Sequence, residues 1–138
     1  MLSLSVVVPV YNEEGNVQKL HHEIEEVCER NNYTYEIIFV NDGSTDATDE
    51  ICRTLSPLKY ICFRKNFGQT AAMDAGIKAA KYDYIVTMDG DCQNNPNDIP
   101  KMINYMIDND LDVVSGWRKK RKDPFLKKFV SRGANVLR

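Results

Sequence analysis

The 138-residue sequence lacks the common glycine-rich phosphate loops, since neither G-x-G-x-x-G nor G-x-x-x-x-G-K-[ST] occurs in it. Because those loops hold the phosphates of bound nucleotides, dinucleotide and P-loop chemistry are disfavoured. The four cysteines are irregularly spaced, with no C-x-x-C pair, which argues against a zinc site. No apolar run approaches the roughly 20 residues that a membrane-spanning helix needs. No basic segment precedes the first apolar run, so we expect no signal peptide and reduced thiols.

Charge is unevenly distributed along the chain. The net charge is −2, but residues 118–138 hold nine of the 18 lysines and arginines and only one acid. The rest of the chain is therefore strongly acidic. A basic terminal block of this kind indicates an anionic partner, such as a membrane surface, a nucleic acid or a phosphate group.

Strand and helix patterns alternate through the sequence. Apolar, β-branched runs predict strands at 4–8, 36–40, 60–63, 84–88 and 111–115, and helical periodicity predicts helices over 17–28, 44–55, 69–80 and 96–106. Ser44 is a candidate N-cap for the second helix. This order predicts one α/β domain, with a mostly parallel sheet and helices on both faces.

Polar and aromatic side chains follow three of the predicted strands. Tyr11 follows the first strand, Asp42 the second, and Asp89-Gly90-Asp91 the fourth. The carboxyl ends of parallel strands share one edge, so these residues are expected to converge there. Tyr11 offers a flat face for a base or ribose, and Asp42 can accept hydrogen bonds from ring N–H groups. Asp89 and Asp91 suit a ribose hydroxyl and a metal-bound diphosphate. Each motif alone is also compatible with a capping turn or ordinary loop packing.

The basic segment has a second notable pattern. From Asp123-Pro124 onward, Phe125 and Phe129 share one side of a predicted helix with further apolar residues, opposite to its basic side chains. It is either a core helix with a solvated basic face or a helix lying in an anionic lipid interface. In the second case, liposome binding should require anionic lipid and fall with salt. The two phenylalanines form no stacking platform, which disfavours a nucleic-acid partner.

The motifs at the ends of the predicted strands, taken together, resemble those of a known family. V-P-V-Y-N-E-E at 8–14, V-N-D-G-S-T-D at 40–46 and M-D-G-D at 88–91 resemble the three signatures of inverting family 2 glycosyltransferases with a GT-A fold. Three further stretches narrow the resemblance to polyprenyl-phosphate sugar transferases of the dolichol-phosphate mannose synthase group. They are R-K-N-F-G-Q at 64–69, D-C-Q-N-N-P at 91–96 and S-R-G-A-N at 131–135.

This resemblance implies a Rossmann-like GT-A sheet, a nucleotide-sugar donor, a polyprenyl-phosphate acceptor and Mg²⁺ or Mn²⁺ as cofactor. Asp89, Asp91 and Arg118 are the implied catalytic residues, and Asp89, Asp91 and Gln93 the implied metal ligands. Arg118 would approach the phosphates of donor or acceptor, and Arg132 the lipid phosphate. The implied substrate-binding residues are Pro9, Tyr11, Asn12, Glu13, Val40, Asp42, Asp89, Gly90, Asp91, Gln93, Arg118 and Arg132.

The resemblance divides the chain into a nucleotide-sugar-binding domain at 1–117 and the start of an acceptor- and membrane-facing region at 118–138. Because the sequence ends inside the predicted basic helix, we expect the donor-binding part of a longer enzyme, which binds nucleotide but does not transfer sugar by itself. We expect it at the cytoplasmic face of a membrane, bound peripherally through 118–138 or through membrane helices of a longer protein. Two alternatives are a family 2 enzyme with a glycan or other hydroxyl acceptor and a non-catalytic nucleotide- or lipid-binding module.

Overall fold

A computed structural model describes residues 2–91 and 95–109, and the backbone of 113–115. The predicted site residues Gln93, Arg118 and Arg132 lie outside these ranges, as does the basic segment 118–138. None of the helices in the described part of the chain is long and apolar enough to span a membrane.

Five parallel strands form one sheet in the order β3-β2-β1-β4-β5. The strands are β1 (Ser3–Val10), β2 (Thr34–Asn41), β3 (Lys59–Cys62), β4 (Tyr84–Thr87) and β5 (Val113–Ser115). The helices are α1 (Val17–Arg30), α2 (Thr48–Cys52), α3 (Gln69–Ala79) and α4 (Ile99–Asp108), the last preceded by a 3₁₀ turn at Pro96–Asp98. The predicted fold class is therefore confirmed.

Apolar side chains pack on both faces of the sheet. On one face, Val8 and Phe39 pack with side chains of α1 and α4, such as Ile24 and Met106. On the other face, Val7, Ile38 and Val40 pack with Ala72 of α3. Because helices cover both faces, β1 is buried from Leu4 to Val10 and is mostly apolar over that length, with Ser5 as an exception. This packing fixes the ends of the strands, on which the candidate site is built.

Helix α2 is shorter than predicted, and Ser44 is not its N-cap. The Ser44 N–H and hydroxyl both donate to Asn41 Oδ1, at 2.9 and 2.6 Å. Asp46 Oδ1 accepts the Thr48 N–H at 2.9 Å. These local side-chain hydrogen bonds stabilise turns in competition with a helix, so the helix begins only at Thr48.

A partly buried carboxylate, that of Glu36, links four segments at the opposite, amino-terminal edge of the sheet. Glu36 Oε2 accepts hydrogen bonds from the Ser5 hydroxyl at 2.6 Å and the Lys81 N–H at 2.7 Å. Lys59 Nζ lies 3.2 Å from Glu36 Oε1. Burial by itself would raise the pKa of Glu36, but these three interactions outweigh it and hold the pKa below its ordinary value. The ionised carboxylate is therefore part of the folded structure.

Replacing Glu36 by glutamine should lower the free energy of unfolding at pH 7 by about 1–3 kcal/mol, because Ser5, Lys59 and Lys81 lose a charged hydrogen-bond acceptor. A carboxyl with a lowered folded-state pKa stabilises above its ordinary pKa of 4.5, and that contribution disappears as the pH falls through the lowered value. The variant should thus lose less stability than the unsubstituted protein on acidification. Urea denaturation at pH 7 and pH 4 measures both effects, with exposed Glu26→Gln as control. Parallel pH profiles for Glu36→Gln and the unsubstituted protein would contradict this role.

Candidate functional site

A cleft opens at the carboxyl ends of β1, β2 and β4. The chain runs outward from β1 to β3 and then returns to place β4 on the other side of β1, so the strand order reverses beside the cleft. Such a switch point is where open α/β sheets bind their ligands. The cleft has a volume of about 130 Å³ and is lined by Pro9, Val10, Tyr11, Glu13, Asp42, Gln69, Asp89, Gly90 and Asp91.

The cleft is strongly acidic. Glu13, Asp42, Asp89 and Asp91 all line it, and no lysine or arginine from residues 2–91 or 95–109 does so. Partial burial raises the pKa of Glu13, and repulsion from Asp91, Asp46 and Asp89 raises it further, against a hydrogen bond from Asn16. Clustered carboxylates are stabilised by an opposite charge placed between them. The electrostatics of the cleft therefore favour a cation.

The glycine of Asp89-Gly90-Asp91 is required by packing. A Cβ atom at Gly90 would lie 2.9 Å from Val10 Cγ1 and 3.0 Å from the Pro9 carbonyl oxygen. Only a residue without a side chain lets the segment after β4 pass this close to the end of β1. Gly90 thus keeps both aspartates in the cleft.

Gln69 is a lining residue that was not predicted from the sequence motifs. It is the first residue of α3, and its Nε2 donates to Asp89 Oδ1 at 3.2 Å. One signal was present in the sequence, because Gln69 opens a helix directly after Gly68 and the third strand, at the edge where the carboxylates were expected. The Gln69 side chain therefore adds a neutral amide to the acidic residues that line the cleft.

Asp42 has a structural role beside its place in the cleft. It is only 4% exposed, and its two oxygens accept the N–H groups of Phe67 at 2.7 Å and Gly68 at 3.1 Å. It therefore anchors the turn that leads into α3. Each carboxylate oxygen has a further lone pair, so these bonds are compatible with the predicted contact to a base.

Three further predicted residues come from the first two signatures, and only one of them, Tyr11, lines the cleft. Tyr11 lines the cleft and is 44% exposed, which leaves its ring available to a ligand. Val40 is buried beneath α3 and is not among the lining side chains. Asn12 is directed to the segment after β2, where its Oδ1 accepts the Thr45 N–H at 2.8 Å. Val40 thus packs in the core beside the cleft, and Asn12 holds the segment after β2. Neither side chain lines the cleft.

Asp89 and Asp91 have the chemistry of a Mg²⁺ or Mn²⁺ site, since both ions prefer carboxylate oxygen and keep positions for water and phosphate. No group of three or more histidine, cysteine, aspartate or glutamate side chains suited to a metal occurs among the described residues. The predicted third ligand, Gln93, lies outside the described ranges. Two carboxylates alone suit an ion that shares its coordination with a bound phosphate.

Sequence comparison places the chain in a family. Residues 5–135 match the profile described as "Glycosyl transferase family 2". The fold is that of an open α/β sheet with a cleft at its switch point, and the chain belongs to glycosyl transferase family 2. The family resemblance stated from the motifs is confirmed.

Two curated relatives are similar over nearly the whole chain. A "Dodecaprenyl-phosphate galacturonate synthase" of Rhizobium johnstonii is 45% identical over 142 residues, covering 99% of this chain and 42% of the relative. An "Undecaprenyl-phosphate 4-deoxy-4-formamido-L-arabinose transferase" of Aeromonas hydrophila is 36% identical, covering 96% of this chain and 42% of the relative. The chain thus spans about two-fifths of the length of these relatives.

Solved structures share the fold. TarS of S. aureus in complex with UDP-GlcNAc superimposes with a TM-score of 0.64 at 24% identity, covering 89% of this chain and 37% of that chain. The mannosyltransferase PcManGT of Pyrobaculum calidifontis, in complex with GDP-Man and Mn²⁺, gives a TM-score of 0.66 at 22% identity, covering 78% and 33%. At these identities the likeness shows the GT-A-like architecture alone.

Proposed function

We propose that this chain forms the donor-binding part of a glycosyltransferase that moves a sugar from a UDP- or GDP-sugar to a polyprenyl phosphate, with inversion. The observation that carries the proposal is the acidic cleft at the switch point, lined by Tyr11, Asp42, Asp89 and Asp91. Family membership supports sugar transfer, and the names of the two curated relatives support a polyprenyl-phosphate acceptor.

The cleft is lined by two chemically distinct sets of side chains. Tyr11 supplies an aromatic face and Asp42 a hydrogen-bond acceptor, which together suit a base or ribose. Asp89 and Asp91 supply hard oxygen ligands, which suit a divalent cation on a diphosphate. When bound, Mg²⁺ or Mn²⁺ would offset the charge that develops on the leaving diphosphate. A neutral or cationic ligand would not need such a cation, so the pairing favours a nucleoside diphosphate.

Transfer to a phosphate acceptor does not require a general base in this domain. A phosphate monoester is already an anion near neutral pH, so its oxygen can attack the sugar without a general base that removes a proton. We propose that Arg118 approaches the phosphates of donor or acceptor, and that Arg132 contacts the lipid phosphate. We also propose attachment to the cytoplasmic face of a membrane, since a polyprenyl chain resides in lipid and the basic segment suits anionic head groups.

The proposal predicts sugar transfer that depends on the acceptor phosphate. The protein at its natural length, in liposomes with undecaprenyl phosphate and Mn²⁺ or Mg²⁺, should move label from a set of radiolabelled UDP- and GDP-sugars to the lipid. Undecaprenol is the matched control, because it keeps the chain and lacks the anionic nucleophile. Transfer to a glycan hydroxyl instead, or nucleotide binding with no transfer to any acceptor, would contradict the proposed reaction.

A further inference from the structure

The segment after β1 is fastened to the segment after β2. The Asn12 N–H donates to Ser44 Oγ at 2.8 Å, and the Glu13 N–H donates to Thr48 Oγ1 at 2.8 Å. In the other direction, the Thr45 N–H donates to Asn12 Oδ1 at 2.8 Å. Two of the cleft-lining side chains, Tyr11 and Glu13, flank Asn12 and so depend on these bonds for their position.

Ser44 is itself held by a buried amide. Its hydroxyl donates to Asn41 Oδ1 at 2.6 Å, which leaves the oxygen lone pairs of Ser44 directed to the Asn12 N–H. Asn41 is fully buried at the end of β2, and its Nδ2 donates to the Tyr60 hydroxyl at 2.9 Å. The Tyr60 hydroxyl in turn donates to Asp49 Oδ1 at 2.6 Å. A continuous hydrogen-bonded chain therefore runs from α2 to the rim of the cleft.

The bond from Ser44 acts on the peptide unit that joins Tyr11 to Asn12. That peptide unit fixes the backbone from which the Tyr11 ring projects. Asn12 has a φ of +52°, in the left-handed region that asparagine adopts more often than other non-glycine residues but that is still uncommon. The bonds with Ser44 and Thr45 hold Asn12 in this conformation. Without the Ser44 hydroxyl, the segment can relax toward ordinary backbone angles and carry the ring away from the cleft.

We propose that Ser44, oriented by Asn41, is a positioning residue for the donor site: it holds the Tyr11–Asn12 peptide so that the Tyr11 ring faces the base or ribose. The inference rests on the proposed donor binding. It assigns to the serine of the second signature a function in ligand affinity in place of helix capping.

A double-mutant cycle on nucleotide affinity tests this assignment in the natural-length protein. Ser44→Ala should weaken UDP or GDP binding about three- to tenfold in calorimetry, the usual effect of one hydrogen bond. In a Tyr11→Ala background, the same substitution should have little further effect, because the ring it positions is gone. Ser44→Thr keeps the hydroxyl and should retain the affinity. Thr45→Ala is the matched control on the same segment. It removes only the long contact of the Thr45 hydroxyl with Asn12 Oδ1, at 3.4 Å, and keeps the 2.8 Å bond from the Thr45 N–H to the same oxygen.

Three results would overturn the inference. Ser44→Ala could lower only thermal stability and leave nucleotide affinity unchanged, which would make the serine purely structural. It could also weaken binding equally in both backgrounds, which would place its effect outside Tyr11. If the unsubstituted protein binds neither nucleotide, the proposed donor binding fails, and the inference fails with it.

Discussion

Replacing Asp91 by asparagine is expected to weaken Mn²⁺-dependent nucleotide binding by about tenfold or more, which corresponds to at least about 1.4 kcal/mol. The same substitution should leave metal-free binding equal or make it tighter. The expected weakening therefore occurs only when the cation is present. This is the result that bears most directly on how an acidic cleft can hold an anionic ligand.

The reasoning is electrostatic. Asp91 shares the cleft with Glu13, Asp42 and Asp89, and its charge contributes to raising the pKa of Glu13. In the absence of a cation, the Asp91 carboxylate repels both its neighbours and a diphosphate. With a divalent cation present, the same carboxylate becomes a ligand whose charge and oxygen atoms hold the ion. Asparagine keeps the shape and one oxygen but loses the charge, so it removes both effects together.

Calorimetry with UDP and GDP, in Mn²⁺ and in EDTA, measures the two conditions. Asp83→Asn is the matched control, because it makes the same change at an exposed position just before β4, at the opposite end of that strand. Equal weakening of binding in both conditions would mean that Asp91 contacts the nucleotide directly. Equal affinity of the unsubstituted protein with and without Mn²⁺, for both nucleotides, would refute the metal role.

The sheet could be predicted from the sequence because its central strand, β1, is a β-branched run buried on both faces. Val6, Val7 and Val8 are all fully buried, so no polar face interrupts the pattern. The convergence of Asp42, Asp89 and Tyr11 also followed from topology alone, since parallel strands end at one edge. These features depend only on local pattern and strand direction.

Contacts between segments distant in sequence could not be predicted in this way. The anchoring of Phe67 and Gly68 by Asp42 spans 25 and 26 residues, and no local pattern encodes it. The late start of α2 has a different cause, because local hydrogen bonds of Ser44 to Asn41 and of Thr48 to Asp46 stabilise turns where a helix was predicted. Gln69 was missed because an exposed glutamine at a helix start gains a role only through its contact with Asp89.

Gly43 is where the largest loss of stability is expected. Its φ is +75°, and a Cβ atom there would lie 2.3 Å from the Lys65 carbonyl carbon and 2.5 Å from the Asn66 nitrogen. Both contacts are with backbone, which cannot rotate away as a side chain could. Left-handed geometry costs alanine about 1–2 kcal/mol, and overpacking of this kind adds about 1–3 kcal/mol. Gly43→Ala should therefore lower the free energy of unfolding by about 2–5 kcal/mol.

The same substitution should also damage the cleft. Residues 65 and 66 lead directly into the Phe67 and Gly68 amides that Asp42 holds, so moving them must stretch or break those bonds. Nucleotide affinity should then fall even at temperatures where the variant is fully folded. Gly15→Ala is the control, because a Cβ atom at Gly15 meets nothing within 4 Å. Urea denaturation and calorimetry on both variants separate the two effects. If the Gly43→Ala protein is as stable as the Gly15→Ala protein, the backbone at 65–66 can move without a loss of stability. The hydrogen bonds of Asp42 then do not depend on the position of residues 65 and 66.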